Sequence, residues 1–431
     1  MSINEQGAER RLAVVHDIIS QFGLHPKAIT PLAFDAQYAY PFNNFIFKVD
    51  LVSPALPQSF PSTQPGTTAA PADGLDAVVV RLSNLRADGL NQTNRVQNDV
   101  ACSLLARQAV QRAGLAPVVP AVFAWAPPKS LDLENMDEAN LGWVVTEYKS
   151  GADLDRQFPG LSAEDKESVL SQLAGIVAAV QQAEIPPLAR QFGGLAFDEQ
   201  GNIVSAQMAI MHAGPFKTYA DIWTYKLQAQ LRDSSKSPVL QGWTENGLDK
   251  RTQAFLDSGN VSKVLANADP LKCSLVHCDL TMNNLLYDST TKQITALLDF
   301  DFSGVNHPAE EFSISSLGDI GGSLSDDPRG ILACILSNDF SAQPQELSEE
   351  DAGKWETAKT WHRLAAEKGV VVPGAIPGIG DIQRLKGLHH ALCPFQLSHE
   401  MPLKNSSDES KAKKKKEVTE TVVKFLEERG F

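Results

Sequence analysis

Apolar residues at Leu12, Val15, Ile18, Ile19 and Phe22 recur at helical spacing, and Gly23 behind them suits a helix C-cap, so the pattern predicts an amphipathic helix. From Asn43 to Leu51 the pattern changes to alternation after a Tyr40-Pro41 turn, which predicts a strand. A second strand is expected over 77–82. Between the two, residues 52–76 carry Pro54, Pro57, Pro61, Pro65 and Pro71 among Ser, Thr, Gly and Ala. That composition predicts a flexible connection unable to pack a core. A helix is expected over 91–111, where Val96, Val100 and Leu104 follow one another by single turns. Strands near 118–125 and 143–148 flank the polar, acidic stretch 129–141.

Beyond Tyr148 the character becomes helical. Ser162-Ala163-Glu164-Asp165 reads as a capping box, and Val169, Leu173, Ile176, Val177 and Val180 lie along one face behind it. Short strands are expected at 274–277, 285–287 and 294–300, and the remainder to about residue 400 is mainly helical. Strands first and helices later, with a break near 148–153, predict an α+β protein of two lobes. The smaller, β-rich lobe spans 1–147 and the larger, mostly helical lobe 148–400. Residues 401–431 form a charged tail with a terminal helix.

Composition narrows the functions on offer. With 431 residues and 43% of them hydrophobic, the chain can bury a large core, which excludes disorder throughout. The net charge of −14 argues against nucleic-acid binding through bulk charge. No run reaches the ~20 apolar residues of a membrane span, and the first residues lack the apolar stretch of a secretory segment. The five cysteines are scattered without a CxxC pair, which points to a reducing compartment and away from disulfides and structural zinc. The expectation is a soluble, cytoplasmic protein with no membrane and no nucleic-acid partner.

The candidate chemistry sits late in the chain. Val276-His277-Cys278-Asp279-Leu280-Thr281-Met282-Asn283-Asn284-Leu285-Leu286 contains H-x-D-x4-N after an apolar strand, and Leu297-Leu298-Asp299-Phe300-Asp301 follows after the next hairpin. Phosphoryl transfer to a hydroxyl needs a carboxylate to orient the hydroxyl and take its proton, and oxygen ligands to hold Mg²⁺ against the triphosphate. Asp279 suits the first role, and Asn284 with Asp299 the second. Upstream, Val78-Val79-Val80-Arg81-Leu82 sets a cation at the end of an apolar strand, and Asp99 in the next helix is a candidate partner for it.

These two motifs resemble the signature of the aminoglycoside phosphotransferase family, with its choline-kinase-like relatives, and are most similar to its divergent fungal members. Tyr40-Pro41-Phe42-Asn43-Asn44-Phe45, Arg81-Leu82-Ser83-Asn84, Asn98-Asp99-Val100-Ala101 and Phe192-Gly193-Gly194-Leu195 are similar to segments of those proteins. The resemblance implies a bilobal, protein-kinase-like fold that uses ATP and Mg²⁺ to phosphorylate a hydroxyl of a small molecule. It implies Asp279 as catalytic base, His277 as the residue ordering its loop, and Asn284 and Asp299 as magnesium ligands. It also implies Arg81 and Asp99 at the phosphates, Asn43 and Asn44 in the loop covering them, and Glu147-Tyr148-Lys149 at the hinge beside adenine.

The sequence departs from that pattern in four places. No G-x-G-x-x-G loop lies near residue 40, arginine stands for the usual lysine, Asp99 for the usual glutamate, and Asp301 where a protein kinase has the DFG glycine. The last two, with no A-P-E downstream, argue against a conventional protein kinase. The missing glycine loop with the Arg81 and Asp99 substitutions motivates an alternative reading, a catalytically silent kinase-like binding module. The acidic composition favours a cationic acceptor through long-range attraction. The lysines of 411–416 read as a solvated helix start, with Val418, Val422, Phe425 and Leu426 forming an apolar face behind them. His389, His390 and Cys393 read as a packed helix rather than a metal site, because adjacent helical residues diverge. Trp223 and Tyr225 read as core aromatics.

Overall fold

The computed structural model describes residues 3–35, 38, 40–87, 89–312, 317–321, 330–345 and 347–431. Its first helix, α1 (Ala8–Ser20), follows the predicted periodicity, and five strands come after it. These are β1 (Pro26–Leu32), β2 (Asn44–Ala55), β3 (Leu75–Ser83), β4 (Val122–Ala126) and β5 (Gly142–Glu147), in the antiparallel order β1-β2-β3-β5-β4. Helix α2 (Arg95–Arg112) connects β3 to β4. β1 was missed in the sequence because Pro26 and Pro31 mask its alternation; as an edge strand it tolerates both.

Alternation assigns the two faces of this sheet. Phe45, Phe47, Val49 and Leu51 of β2 and Val78, Val80 and Leu82 of β3 are buried in one cluster with Val15, Ile18 and Ile19 of α1. On the opposite face Ile46, Arg81 and Val144 lie side by side in register across β2, β3 and β5. Val144 there joins Val96 and Val100 of α2 in a second, smaller cluster. Arg81 is thus carried on the face that α2 approaches, away from the main core.

The proline-rich connection between β2 and β3 differs from the expectation of a flexible loop. Phe60 is 1% exposed, stacked on Phe123 at 5.3 Å between ring centroids and 4.9 Å from Phe22. The Thr68 amide donates to the Val122 carbonyl at 2.7 Å, and the Gln64 side chain bonds both backbone groups of Trp125. One aromatic anchor and these main-chain bonds cover the exposed edge of β4, which a composition argument does not detect.

The chain continues through β6 (Ala152–Asp153), α3 (Leu154–Gln157), α4 (Ala163–Gln181), β7 (Gly194–Phe197) and β8 (Ile203–Ala206). Then come α5 (Tyr219–Ser234), α6 (Leu248–Asp257), α7 (Asn260–Val264), β9 (Ser274–Val276), β10 (Leu285–Asp288), β11 (Gln293–Leu297) and β12 (Gly304–Asn306). It ends with α8 (Ile331–Ser337), α9 (Glu349–Lys368), α10 (Ile379–Leu392), α11 (Phe395–Ser398), α12 (Glu400–Asn405) and α13 (Asp408–Glu427). At α4 the first half of the expected capping box is formed, Ser162 Oγ accepting the Asp165 N–H at 3.1 Å, while the Asp165 carboxylate turns to the Ser162 hydroxyl at 2.9 Å instead of to its backbone N–H.

The chain divides into two compact units built from interleaved segments. The first comprises Met1–Pro215, Cys273–Ser323 and Gln345–Val371, so the five-stranded sheet and both motif-bearing loops belong to it. The second comprises Phe216–Lys272, Leu324–Pro344 and Val372–Phe431 and is helical. Within it Val422 and Leu426 of α13 are fully buried and Phe425 meets Phe255 of α6 edge-on at 5.4 Å, so the apolar face read from the sequence is docked. Lys411, Lys414, Lys415 and Lys416 before that face pair with neighbouring acids, Lys415 with Glu245 at 2.7 Å among them. Among the described residues no helix is long and apolar enough to cross a membrane.

Candidate active site

β9 is buried along its whole length because it pairs with β12, Leu275 opposite Val305 and Val276 opposite Gly304. The chain leaves it at His277, which is 1% exposed. The ring's Nε2 faces the Leu298 carbonyl oxygen at 2.9 Å, and its Nδ1 lies 3.3 Å from the Asp279 N–H, so an imidazole protonated at Nε2 satisfies both. Burial pushes His277 below its ordinary pKa, although Glu311 and the Leu298 bond act the other way. The ring is therefore neutral near pH 7 and orders the loop without carrying charge. Cys278 takes a left-handed conformation at φ 63°, and the buried Glu311 accepts the N–H groups of His277 and Cys278 at 2.6 and 3.1 Å. That turn delivers Asp279, half-buried, at its end.

Asn284 closes the loop. Its side-chain amide donates to the Asp279 carbonyl at 2.8 Å and to the Asp279 carboxylate at 3.0 Å. With the nitrogen thus committed, the amide oxygen is the atom left to ligate a cation. The β10–β11 hairpin then returns the chain, Leu285 opposite Leu297, and the Leu298 N–H donates to the Asn284 carbonyl at 2.8 Å. This brings Asp299 in just after the strand, with φ at 60°.

Asp299 belongs to a group of five charges. Arg81 is ion-paired with Asp99 and lies 3.4 Å from Asp299 and 4.0 Å from Asp301. Asp301 also forms a pair with Arg95 at 2.7 Å, both side chains being 1% exposed. Burial works against the Arg81 charge, but Asp99, then Asp301 and Asp299, more than offset it and hold the guanidinium protonated. For Asp301 burial likewise opposes the charge, and Arg95 and Arg81 overcome it, keeping the carboxyl well below the usual range. Burial also raises the Asp99 carboxyl despite Arg81, and for Asp299 burial and then Asp301 push the carboxyl up to about 7 despite Arg81.

These residues fit magnesium by the chemistry of their donors. Mg²⁺ takes oxygen ligands, commonly one or two protein groups together with substrate phosphates. The Asp299 carboxylate and the Asn284 amide oxygen are that kind of set. With all three carboxylates ionised, the two guanidiniums leave one net negative charge for a cation to offset. A cavity of about 220 Å³ reaches Asp299, lined mainly by the end of β1, the start of β2 and Leu12 of α1.

The other expected site residues lie as follows. The Asn44 amide donates to Asp301 at 2.6 Å, and the Asn43 carbonyl accepts from Arg95 at 2.6 Å, so the segment before β2 is tied to the charge group. Glu147 accepts from Lys149 at 2.7 Å and from the Ala121 N–H at 3.1 Å, while Lys48 sits over the Tyr148 ring at 4.7 Å. The structure therefore joins His277, Asp279 and Asn284 in one network and Arg81, Asp99, Asn44 and Asp299 in another, with the hinge residues bonded locally. Sequence reasoning missed Arg95, Asn98 and Glu311. Asn98, fully buried, donates to the Ser303 carbonyl at 2.8 Å and accepts the Leu195 N–H at 2.7 Å. The available signal was polar residues one turn apart in α2, which a search for apolar periodicity discards.

The model of the phosphotransferase enzyme family matches residues 76–332, well over half the chain. Among solved structures, APH(2'')-IIa in a ternary complex with streptomycin and ATP is 10% identical, with 96% of this chain and 97% of that chain covered and a TM-score of 0.46. The ADP-bound aminoglycoside phosphotransferase APH(2'')-Ib is 11% identical, with 96% and 98% covered and a TM-score of 0.44. No curated protein matches. The antiparallel sheet with α2 between β3 and β4, followed by a mainly helical remainder, gives an α+β, protein-kinase-like fold. From the span of the family match, the chain belongs to the phosphotransferase enzyme family.

Proposed function

We propose that the protein is an ATP- and Mg²⁺-dependent phosphotransferase that moves the γ-phosphoryl group to a hydroxyl of a small molecule. The observation that carries this is the placement of Asp279 by Asn284, through bonds of 2.8 and 3.0 Å, in a loop braced by the neutral His277. A carboxylate fixed in this way orients an acceptor hydroxyl and takes its proton as the phosphoryl group transfers. Asn284 and Asp299 would hold Mg²⁺, which when bound offsets the charge of the triphosphate. Arg81, held on its sheet face by Asp99, steadies phosphate oxygens beside them. The backbone of Glu147-Tyr148-Lys149 meets adenine, and Asn43 and Asn44 lie over the phosphates. The acidic composition favours an acceptor bearing a cation.

One observation favours the alternative of a silent, kinase-like binding module: Arg81 is already engaged by three carboxylates. Calorimetric titration of ATP into wild type and Asp299→Asn, with and without Mg²⁺, separates the two. Magnesium-dependent binding that is lost in the variant supports the nucleotide site. The Asp279→Ala variant should then bind MgATP normally and release no ADP in the presence of acceptor. Retained turnover in that variant would remove Asp279 as the base, and a wild type that binds no ATP would leave the silent module.

A further inference from the structure

Arg95, the first residue of α2, is 1% exposed, and its guanidinium joins four parts of the chain. Its Nε and one terminal nitrogen donate to the two Asp301 carboxylate oxygens at 3.1 and 2.7 Å. The same terminal nitrogen also donates to the Asn43 carbonyl at 2.6 Å and the Asn44 side-chain oxygen at 3.0 Å. The other terminal nitrogen lies 3.3 Å from the Asn84 carbonyl, at the exit of β3. Asn44 completes the ring by donating to Asp301 at 2.6 Å.

Two features of the site acquire a reason from this ring. Asp299 sits in the left-handed region, at φ 60°, which L side chains rarely adopt, so its neighbours must hold it there. Asp301, whose N–H approaches the Asp299 carboxylate at 3.4 Å, is fixed by Arg95 on the far side. The segment before β2 lacks a glycine-rich sequence, and it is instead pinned at Asn43 and Asn44 by the same guanidinium. We infer that Arg95 is a positioning residue, a buried strut that aims Asp299 at the cation and fixes the segment before β2 over the phosphates. The inference rests on the phosphotransferase reading. Lysine cannot replace it fully, because a single ammonium does not span Asp301 and the Asn43 carbonyl with a planar fork.

The test compares wild type, Arg95→Met, Arg95→Lys and Asn44→Ala by calorimetric titration of ATP with and without Mg²⁺, alongside urea unfolding. Arg95→Met should lower magnesium-dependent ATP affinity by about tenfold or more, and by a clearly larger factor than magnesium-free affinity, as for other residues that orient a metal ligand. Arg95→Lys should recover part of the loss, and Asn44→Ala should show a smaller loss of the same kind. Should Arg95→Met fail to fold, the other two variants decide on the same criterion. Wild-type affinity in every folded variant, or equal losses with and without Mg²⁺, would overturn the strut and leave a residue of stability only. A wild type that binds ATP without any magnesium dependence would instead overturn the phosphotransferase reading, and the strut with it.

Discussion

Asn284 holds Asp279 at two points, its carbonyl and its carboxylate, with a single amide nitrogen. The pair explains why amide and acid must differ at these positions: one donates and the other accepts. On the proposed function, Asn284→Asp keeps an oxygen for the cation but sets a second acid beside Asp279, so the two would share a proton and the proposed base would be impaired. Turnover, followed as ADP release, should fall by about 100-fold or more while MgATP binding survives. A variant with normal turnover would show that the amide donor does not matter.

Phe60 makes a rule about proline-rich segments testable. Its burial between Phe22 and Phe123 predicts that Phe60→Ala costs about 3–5 kcal/mol in urea unfolding, as for a core aromatic. A truly flexible connection would lose almost nothing.

His362, on α9, is 4% exposed, and burial lowers its pKa to about 4, the Gly321 bond opposing only in part. In the unfolded chain the imidazole titrates near 6.5, so between pH 6.5 and 4 the unfolded state binds the extra proton. Its contribution is complete above pH 6.5 and is lost as the pH falls towards 4, at about 1.4 kcal/mol per pH unit. The stability difference between wild type and His362→Gln should therefore shrink from pH 7 to pH 4. A difference that does not change with pH would show that the imidazole titrates normally.

Asn98 ties α2 to Leu195 and Ser303 through both ends of its amide. Asn98→Ala leaves a backbone N–H and a carbonyl buried without it, each worth about 1–3 kcal/mol, so unfolding free energy should drop by about 3 kcal/mol. Asn98→Leu, which fills the volume, should recover little of that loss, because the missing groups are polar. Full recovery by leucine would make packing, not bonding, the cause.

Much of this was legible in the residues. The helical spacing of α1, the alternation of β2 and β3 and the H-x-D-x4-N run each report a local rule, and local rules survive in a bare sequence. Arg81 and Asp99 could be paired in advance because opposite charges on adjacent elements are a short list. What stayed hidden was long-range. Arg95 meets Asp301 only after the whole chain between them has folded, and Glu311 reaches His277 from beyond β12. The hairpin of β7 and β8 was missed because its strands are four residues each, too short for a period to show. Gly194 carries its own signature there: a Cβ would stand 2.2 Å from the Gln207 carbonyl.

Arg95, Asn98 and Asp99 share one face of α2, at spacings of three and four residues; Arg95 and Asn98 bond Asp301 and Ser303 directly, and Asp99 pairs with Arg81, which reaches Asp299. Advancing the helix by one residue turns that face through about 100°, and all three contacts would break together. Where a comparable helix holds its partner by one ion pair, it can swing away and back at modest cost, which makes it a usable switch. Here the same movement would strand several buried polar groups at once, so the helix has a single setting. Amide exchange along α2 should therefore be slow and indifferent to nucleotide. A latch that worked by swinging this helix would have to give up all of these contacts in the same movement.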